Sequence, residues 1–246
     1  MDSGILAKVR SATRLLTRRK TYEVLALRFQ HRKMSYQSFY AALMDRRGSA
    51  NPALAVGGLW NEVGPLQLEF LRAQGLGVTD SLLDYGCGSL RGGRHIIGYL
   101  NPGSYVGVDI SLVLLDAARQ LVRSEGLAGK EPTLEFLDPV DPRLPERSFD
   151  VILAHSVVVH MPAADVAALI GRAVSRLKPG GRFYVTCFLG AEWRNFVGTN
   201  FRHPLSLFSG IAQQQGLELR LYEQAEYPHP RGQRMLRYTK AGSSDD

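Results

Sequence analysis

Residues 82–93 read LLDYGCGSLRGG, an apolar pair and an aspartate followed by glycines at 86, 88, 92 and 93. Closely spaced glycines directly after a strand-like run mark a place where backbone must approach something, because a Cβ would hold a ligand off. Such a turn, opening a helix whose first amides are unpaired, suits a nucleoside or its phosphates. The turn therefore predicts a nucleoside-binding α/β fold, and the flanking sequence supports it. Downstream, strand-like SYVGVDI, TLEFLD, FDVILAHS and RFYVTCF alternate with helix-like RGGRHIIGYL, LVLLDAARQLVRSEG and AADVAALIGRAVSRL. That alternation argues for a mostly parallel sheet with helices on both faces.

Upstream, LWNEVGPLQLEFLRAQGL predicts a helix that breaks at Gly75, and GSANPALAVGG, residues 48–58, reads as a linker rich in turn formers. In the C-terminal part LELRLYEQ and QRMLRYTK are strand-like, with AEYPHPRG between them and a polar AGSSDD after them. These readings divide the 246 residues into a helical arm (1–50), a nucleoside-binding core (51–190) and a C-terminal hairpin and tail (191–246). An apolar content of 45 % is enough for a sizeable core.

The net charge of +7 is unevenly placed: residues 1–50 hold 11 Lys/Arg against 3 Asp/Glu, and the remaining 19 basic and 20 acidic residues nearly cancel. In the arm Ile5, Leu6, Val9, Ala12 and Leu16 share one side of a helix that Ser3 could cap, with Arg10, Arg14 and Arg18 opposite. A basic amphipathic helix can lie on an anionic membrane, contact nucleic acid, or pack its apolar side on the body with its arginines in water. Cys87 and Cys187 lie far apart without a CxxC or Cys/His cluster, so reduced thiols and no metal site are expected. No apolar run approaches the roughly 20 residues of a membrane span, and the first residues lack a secretory core. The expected location is the cytoplasm, with peripheral membrane contact through the arm left open.

Gly86 and Gly88 make half of a dinucleotide fingerprint, with Asp109 about 20 residues on, where a carboxylate accepts from ribose hydroxyls. Arg91 stands where the third glycine belongs, which leaves a nicotinamide enzyme as one alternative. Taken in order, LLDYGCGS, YVGVDIS, LEFLDPVDPRLPERSFDVILAHSVVVHM and LKPGGRFYV resemble the successive signature segments of class I S-adenosylmethionine-dependent methyltransferases, from about residue 60 to 190. GGLWNEVGPLQLEFL followed by GCGSLRGG is similar to a group of small bacterial enzymes associated with glycan or glycolipid assembly.

The resemblance implies a Rossmann-like, seven-stranded, mostly parallel sheet and S-adenosylmethionine as cofactor, with S-adenosylhomocysteine as product. It implies that Asp84 faces the methionine amino group, that Gly86, Cys87 and Gly88 line the turn, and that Asp109 takes both ribose hydroxyls with Ile110 on the adenine face. Asp138 would lie near the adenine amino group with Pro139 or Val140 beside it, and His155 between cofactor and acceptor. Relatives often carry a glycine where this chain has Leu90, which puts the contacts of Ser89 and Arg91 in question. Trp60, Glu62 and Gln67 fall where relatives place a cofactor lid.

Methyl transfer from a sulfonium needs little beyond a close, collinear acceptor, but a hydroxyl must also lose its proton. His155, His160 and His229 are the candidate bases, and Arg231 and Gln233, beside His229 in the proline-stiffened YPHPRGQ, are suited to sugar hydroxyls or phosphate. Resemblance to amino-group and cytosine-carbon methylases is missing after the fourth strand, so an oxygen acceptor is favoured. A magnesium-assisted mechanism would need Asp141, Asp150 and Asp165 to gather, which their spacing does not provide. Three functions fit. The first is O-methylation of a saccharide, glycolipid or small hydroxylated metabolite, with the arm closing over the acceptor, docking on a membrane or making a homo-oligomer contact. The second is RNA methylation using the arm, disfavoured by the neutral body and few exposed aromatics. The third is a non-catalytic module that keeps the cofactor pocket.

Overall fold

The computed structural model describes residues 21–29, 33–194 and 199–240. The basic helix expected before residue 20, with its Ser3 cap, and the tail after residue 240 lie outside the described residues. A helical stretch at 21–29 (α1) precedes α2 (Tyr36–Ala50), α3 (Pro52–Ala55) and α4 (Trp60–Ala73). The body then alternates β1 (Leu82–Tyr85), α5 (Gly93–Tyr99), β2 (Tyr105–Asp109), α6 (Leu112–Ser124), β3 (Thr133–Phe136), β4 (Phe149–Ala154), α7 (Ala163–Ser175) and β5 (Leu177–Cys187). It closes with a two-residue pair, β6 (Trp193–Arg194) and β7 (Phe201–Arg202), then α8 (Leu205–Gln214), β8 (Leu217–Leu221) and β9 (Arg234–Lys240).

Seven strands form one sheet in the order β3-β2-β1-β4-β5-β9-β8. The first five are parallel, while β9 runs antiparallel to both β5 and β8. This is the Rossmann-like, seven-stranded, mostly parallel sheet expected from the sequence. β1 and β2 are buried along their whole length, as strands covered on both faces must be. Alternate side chains feed two cores: Leu83, Val106 and Ile152 pack with α7 and α8, and Leu82, Tyr105 and Val151 pack with α4, α5 and α6. No helix among the described residues is long and apolar enough to cross a membrane.

Two features position the site. The chain leaves β1 toward β2 on one side and β4 toward β5 on the other, so a crevice opens at the C-terminal ends of β1 and β4, where open α/β sheets bind ligands. The reversed β9 begins with Arg234 opposite Cys187, the last residue of β5, so the 222–233 loop emerges at that same end.

The 48–58 segment is not a linker. α2 continues to Ala50, Asn51 then caps α3 by accepting from the Leu54 amide, and Pro52 suits the first helical turn. Ser89 donates to the Pro52 carbonyl, which fastens the segment onto the glycine turn. α2 itself docks through Asp45, which accepts from Ser111 Oγ at 2.6 Å at the start of α6, and through Gly48, whose missing side chain admits Leu114 and Val113.

Candidate functional site

A cavity of about 1130 Å³ occupies the crevice, large enough for two small molecules side by side. At one end, β1 delivers Asp84 into the interior, where it accepts from Tyr105 Oη at 2.7 Å. Burial raises its carboxyl to about 6, against the opposing hydrogen bond from Tyr105. The chain then turns through Gly86 (φ 79°) and Gly88 (φ 55°). A Cβ on Gly86 would stand 2.5 Å from Val157, and one on Gly88 would stand 2.7 Å from Val56. Leu90 also has a left-handed backbone (φ 68°), at the position where relatives favour glycine, and it is held there with its side chain fully buried.

Asp109, at the end of β2, accepts from the Gly88 amide at 2.8 Å and the Ser111 amide at 2.9 Å. Burial brings it to about 6 as well. Cys87 lines the turn as a buried thiol, pushed well up by burial and by Asp109 and Asp84, and is inert as a nucleophile. Ile110, Leu137 and Pro139 form an apolar wall. Asp138 does not join it: the residue is exposed, and its carboxylate accepts from the Val140 and Asp141 amides, which closes its own loop.

Beside the turn Arg91, only 8 % exposed, donates to the Val56 and Gly58 carbonyls and points Nη2 to within 3.4 Å of His155 Nδ1. Its Nε has no hydrogen-bond partner among the described residues. Of the lid residues, Gln67 is buried on the cavity wall, Trp60 donates to the Ala53 carbonyl beneath Arg94, and Glu62 is exposed.

All three candidate histidines line the cavity. His155 follows β4, with Nε2 2.7 Å from Tyr227 Oη and Nδ1 3.2 Å from Ser156 Oγ. Because Arg91 can only donate, Nδ1 is the accepting nitrogen and Nε2–H donates to Tyr227. His160 is held differently: its Nδ1–H donates to the Thr199 carbonyl at 2.7 Å and its ring stacks on Tyr40 of α2. That tautomer leaves Nε2 with a lone pair. His229 accepts at Nδ1 from the Arg231 amide, and its ring lies against those of His155 and Tyr227. Burial holds His155 well below the usual histidine range and lowers His160 and His229 to about 4, with nearby arginines adding to the effect. All three are neutral near pH 7.

Arg231 donates to the Gly57 carbonyl, and the buried Gln233 accepts from Ser156 Oγ at 3.1 Å. Ser156 has φ 61°, with its amide anchored on Thr186 Oγ1 at 2.7 Å. Tyr36, Tyr40, Arg47 and Thr199 also line the cavity, and Tyr227 supports His155; none of these follows from the sequence motifs, though for the first two the i, i+4 spacing of aromatics in SYQSFYAAL was the available signal. The magnesium candidates do not gather: Asp150, at the start of β4, accepts from Ser81 and Lys178, and among the described residues no group of three His, Cys, Asp or Glu could hold a metal ion.

Comparison with known proteins bears on the domain and its fold. Residues 83–183 match the family described as "Methyltransferase domain". A ubiquinone biosynthesis O-methyltransferase of Bradyrhizobium sp. (strain ORS 278) is 33% identical over 150 residues, 56% of this chain and 55% of that protein. The phosphoethanolamine N-methyltransferase 1 of Arabidopsis thaliana is 28% identical over 151 residues, 61% of this chain and 28% of that one. The match thus spans about half or less of these relatives' length. In fold, the magnesium protoporphyrin IX methyltransferase from Synechocystis PCC 6803, solved with bound S-adenosylmethionine, superposes with a TM-score of 0.64 at 15% identity, covering 85% of this chain and 98% of that one. Residues 83–183, then, are similar to a methyltransferase domain, and the chain has the seven-stranded Rossmann-like fold of the solved enzyme.

Proposed function

We propose that the protein transfers a methyl group from S-adenosylmethionine to a hydroxyl of a small metabolite, saccharide or glycolipid. The observation that carries this reading is the polarity of one cavity: a glycine turn between two buried carboxylates at one end, and neutral histidines at the other. The donor end fits a zwitterionic nucleoside. Asp84 is placed for the methionine ammonium and Arg91, with its unpartnered Nε, for the carboxylate. Asp109 keeps lone pairs for ribose hydroxyls beyond its two amide bonds, and Ile110 and Pro139 offer an apolar slot for adenine.

The cofactor supplies a methyl group already activated on a sulfonium, so the chain has to place and deprotonate the acceptor. His160 is the group best arranged for the second task. One ring nitrogen is fixed on a carbonyl, which leaves the other with a lone pair in a residue that lines the cavity, the base-plus-orienting-group pattern of activated nucleophiles. His155 has both nitrogens engaged, and it orients Tyr227 and Arg91. His229, Arg231 and Gln233 wall the acceptor.

The test is transfer of labelled methyl from S-adenosylmethionine by the purified protein into a cell extract separated into small metabolites, glycans, lipids and RNA, with and without magnesium. Label in one of the first three pools is expected. Label confined to RNA, or tight S-adenosylhomocysteine binding without transfer to any pool, overturns the reading.

A further inference from the structure

The cavity wall has a charge pattern that the transfer itself does not require. Three carboxylates line it, and each is engaged: Glu23 with Arg46 at 3.1 Å, Asp84 with Tyr105, and Asp109 with the Gly88 and Ser111 amides. Five arginines line the same cavity, at positions 47, 91, 172, 202 and 231. Arg91 belongs to the donor end. Arg47 and Arg231 flank the acceptor end, from α2 on one side and from the 222–233 loop on the other.

Among the described residues neither of these two meets a carboxylate. Within those residues the exposed Arg231 side chain donates to the Gly57 carbonyl alone, and the half-buried Arg47 makes no side-chain hydrogen bond or ion pair. A guanidinium on a cavity wall with no carboxylate beside it offers its planar fork to an anion that enters the cavity. The methyl donor cannot serve at that end, because it carries one carboxylate against a sulfonium and an ammonium.

We infer that the acceptor is itself an anion, a hydroxyl compound bearing a phosphate or carboxylate group that Arg47 and Arg231 bind from opposite sides while its hydroxyl lies at His160. This rests on the methyltransferase reading above and names its substrate class. A remote anionic anchor fits the chemistry, since the reaction depends on placement and binding energy from non-reacting groups can supply it. It also bears on His160: both arginines contribute to holding that ring neutral, and an anion seated between them would cancel their field and strengthen the base. Placement and deprotonation would then be linked through one group.

The test uses full-length protein saturated with S-adenosylhomocysteine and three probes: phenyl phosphate, benzoate and uncharged benzyl alcohol, titrated calorimetrically at low ionic strength. At least one anion should bind about tenfold or more tighter than benzyl alcohol, and the better one distinguishes phosphate from carboxylate. Arg47→Gln and Arg231→Gln should each reduce that preference several-fold, with Arg47→Lys retaining part of it and S-adenosylhomocysteine affinity nearly constant throughout. Equal binding of the three probes, or an anion preference that survives both glutamine variants, overturns the inference. Failure of the wild-type protein to bind S-adenosylhomocysteine would sink the parent reading instead.

Discussion

The two ends of the cavity solve opposite problems. At the β1–β2 end the backbone itself is the binding surface: glycines at 86 and 88 stand in space that Val157 and Val56 would deny to any side chain, and both buried carboxylates are tied by short hydrogen bonds. At the other end the surface is made of side chains from distant parts of the chain, with a histidine lone pair and arginines that lack anionic partners. Strain is present at both, at Leu90 and at Ser156, but Leu90 is locked by a packed core and Ser156 by two side-chain hydrogen bonds. A site whose donor end is preformed and whose acceptor end is unsaturated should hold its cofactor without the acceptor and gain order from the acceptor.

The contrast can be broken most strongly at His160. His160→Ala should lower kcat by about 10²–10⁴-fold, the usual worth of a positioned base, with S-adenosylhomocysteine affinity unchanged; single-turnover transfer assays separate the two, and an unaltered rate removes His160 as the base. At the donor end the split should reverse. Asp109→Ala should weaken S-adenosylhomocysteine binding by about a hundredfold, roughly 3 kcal/mol for two hydrogen bonds to a charged group, and affinity within tenfold of wild type would show that the ribose lies elsewhere.

A smaller effect tests how α3 covers the turn. Gly88→Ala should cost about 1–3 kcal/mol of unfolding free energy from its left-handed backbone and its clash with Val56. Adding Val56→Ala should recover the clash component alone, as a double-mutant cycle in urea would reveal; strictly additive losses would mean that the two do not touch.

The smallest expected effect is one of pH. Asp84 and Asp109 stand at about 6 instead of 3.8, raised chiefly by burial. An acid raised by folding contributes stability below its unfolded value and loses it as pH rises through the folded one, so both come to cost the empty fold between about pH 4 and 6. Ligand groups that favour the ionised forms offset this cost. S-adenosylhomocysteine should therefore raise Tm more at pH 7.5 than at pH 5, and equal shifts would contradict the assignment of both carboxylates.

That Asp84, the glycines, Asp109 and Ile110 share one end of the cavity was legible in the sequence because they lie within one β-α-β unit, where spacing dictates geometry. Asp138 was misplaced because β3 ends two residues earlier, at Phe136, and the freed carboxylate found amides in its own loop. The 48–58 segment deceived by composition, since asparagine, proline and glycine mark a short capped helix as readily as a linker. α8, whose LSLFSGIAQQ covers one face of the sheet, was also not anticipated. The acceptor end resisted most. YPHPRGQ was noticed for its residue types, yet no periodicity connects Tyr227 to His155 or Tyr40 to His160, because those contacts depend on β9 running backwards and α2 folding over the crevice.

The reversed β9 has a consequence for the order in which the site comes into being. The carboxylates and their turn are joined by contacts spanning fewer than thirty residues, from Asp84 to Ser111. The acceptor end joins Arg47 to Arg231 and is complete only once Arg234 has paired with Cys187 near the far end of the chain. An anion held between those arginines would tie α2 to the loop that enters β9, and slowed amide exchange in α2 and β9 at once would be its signature.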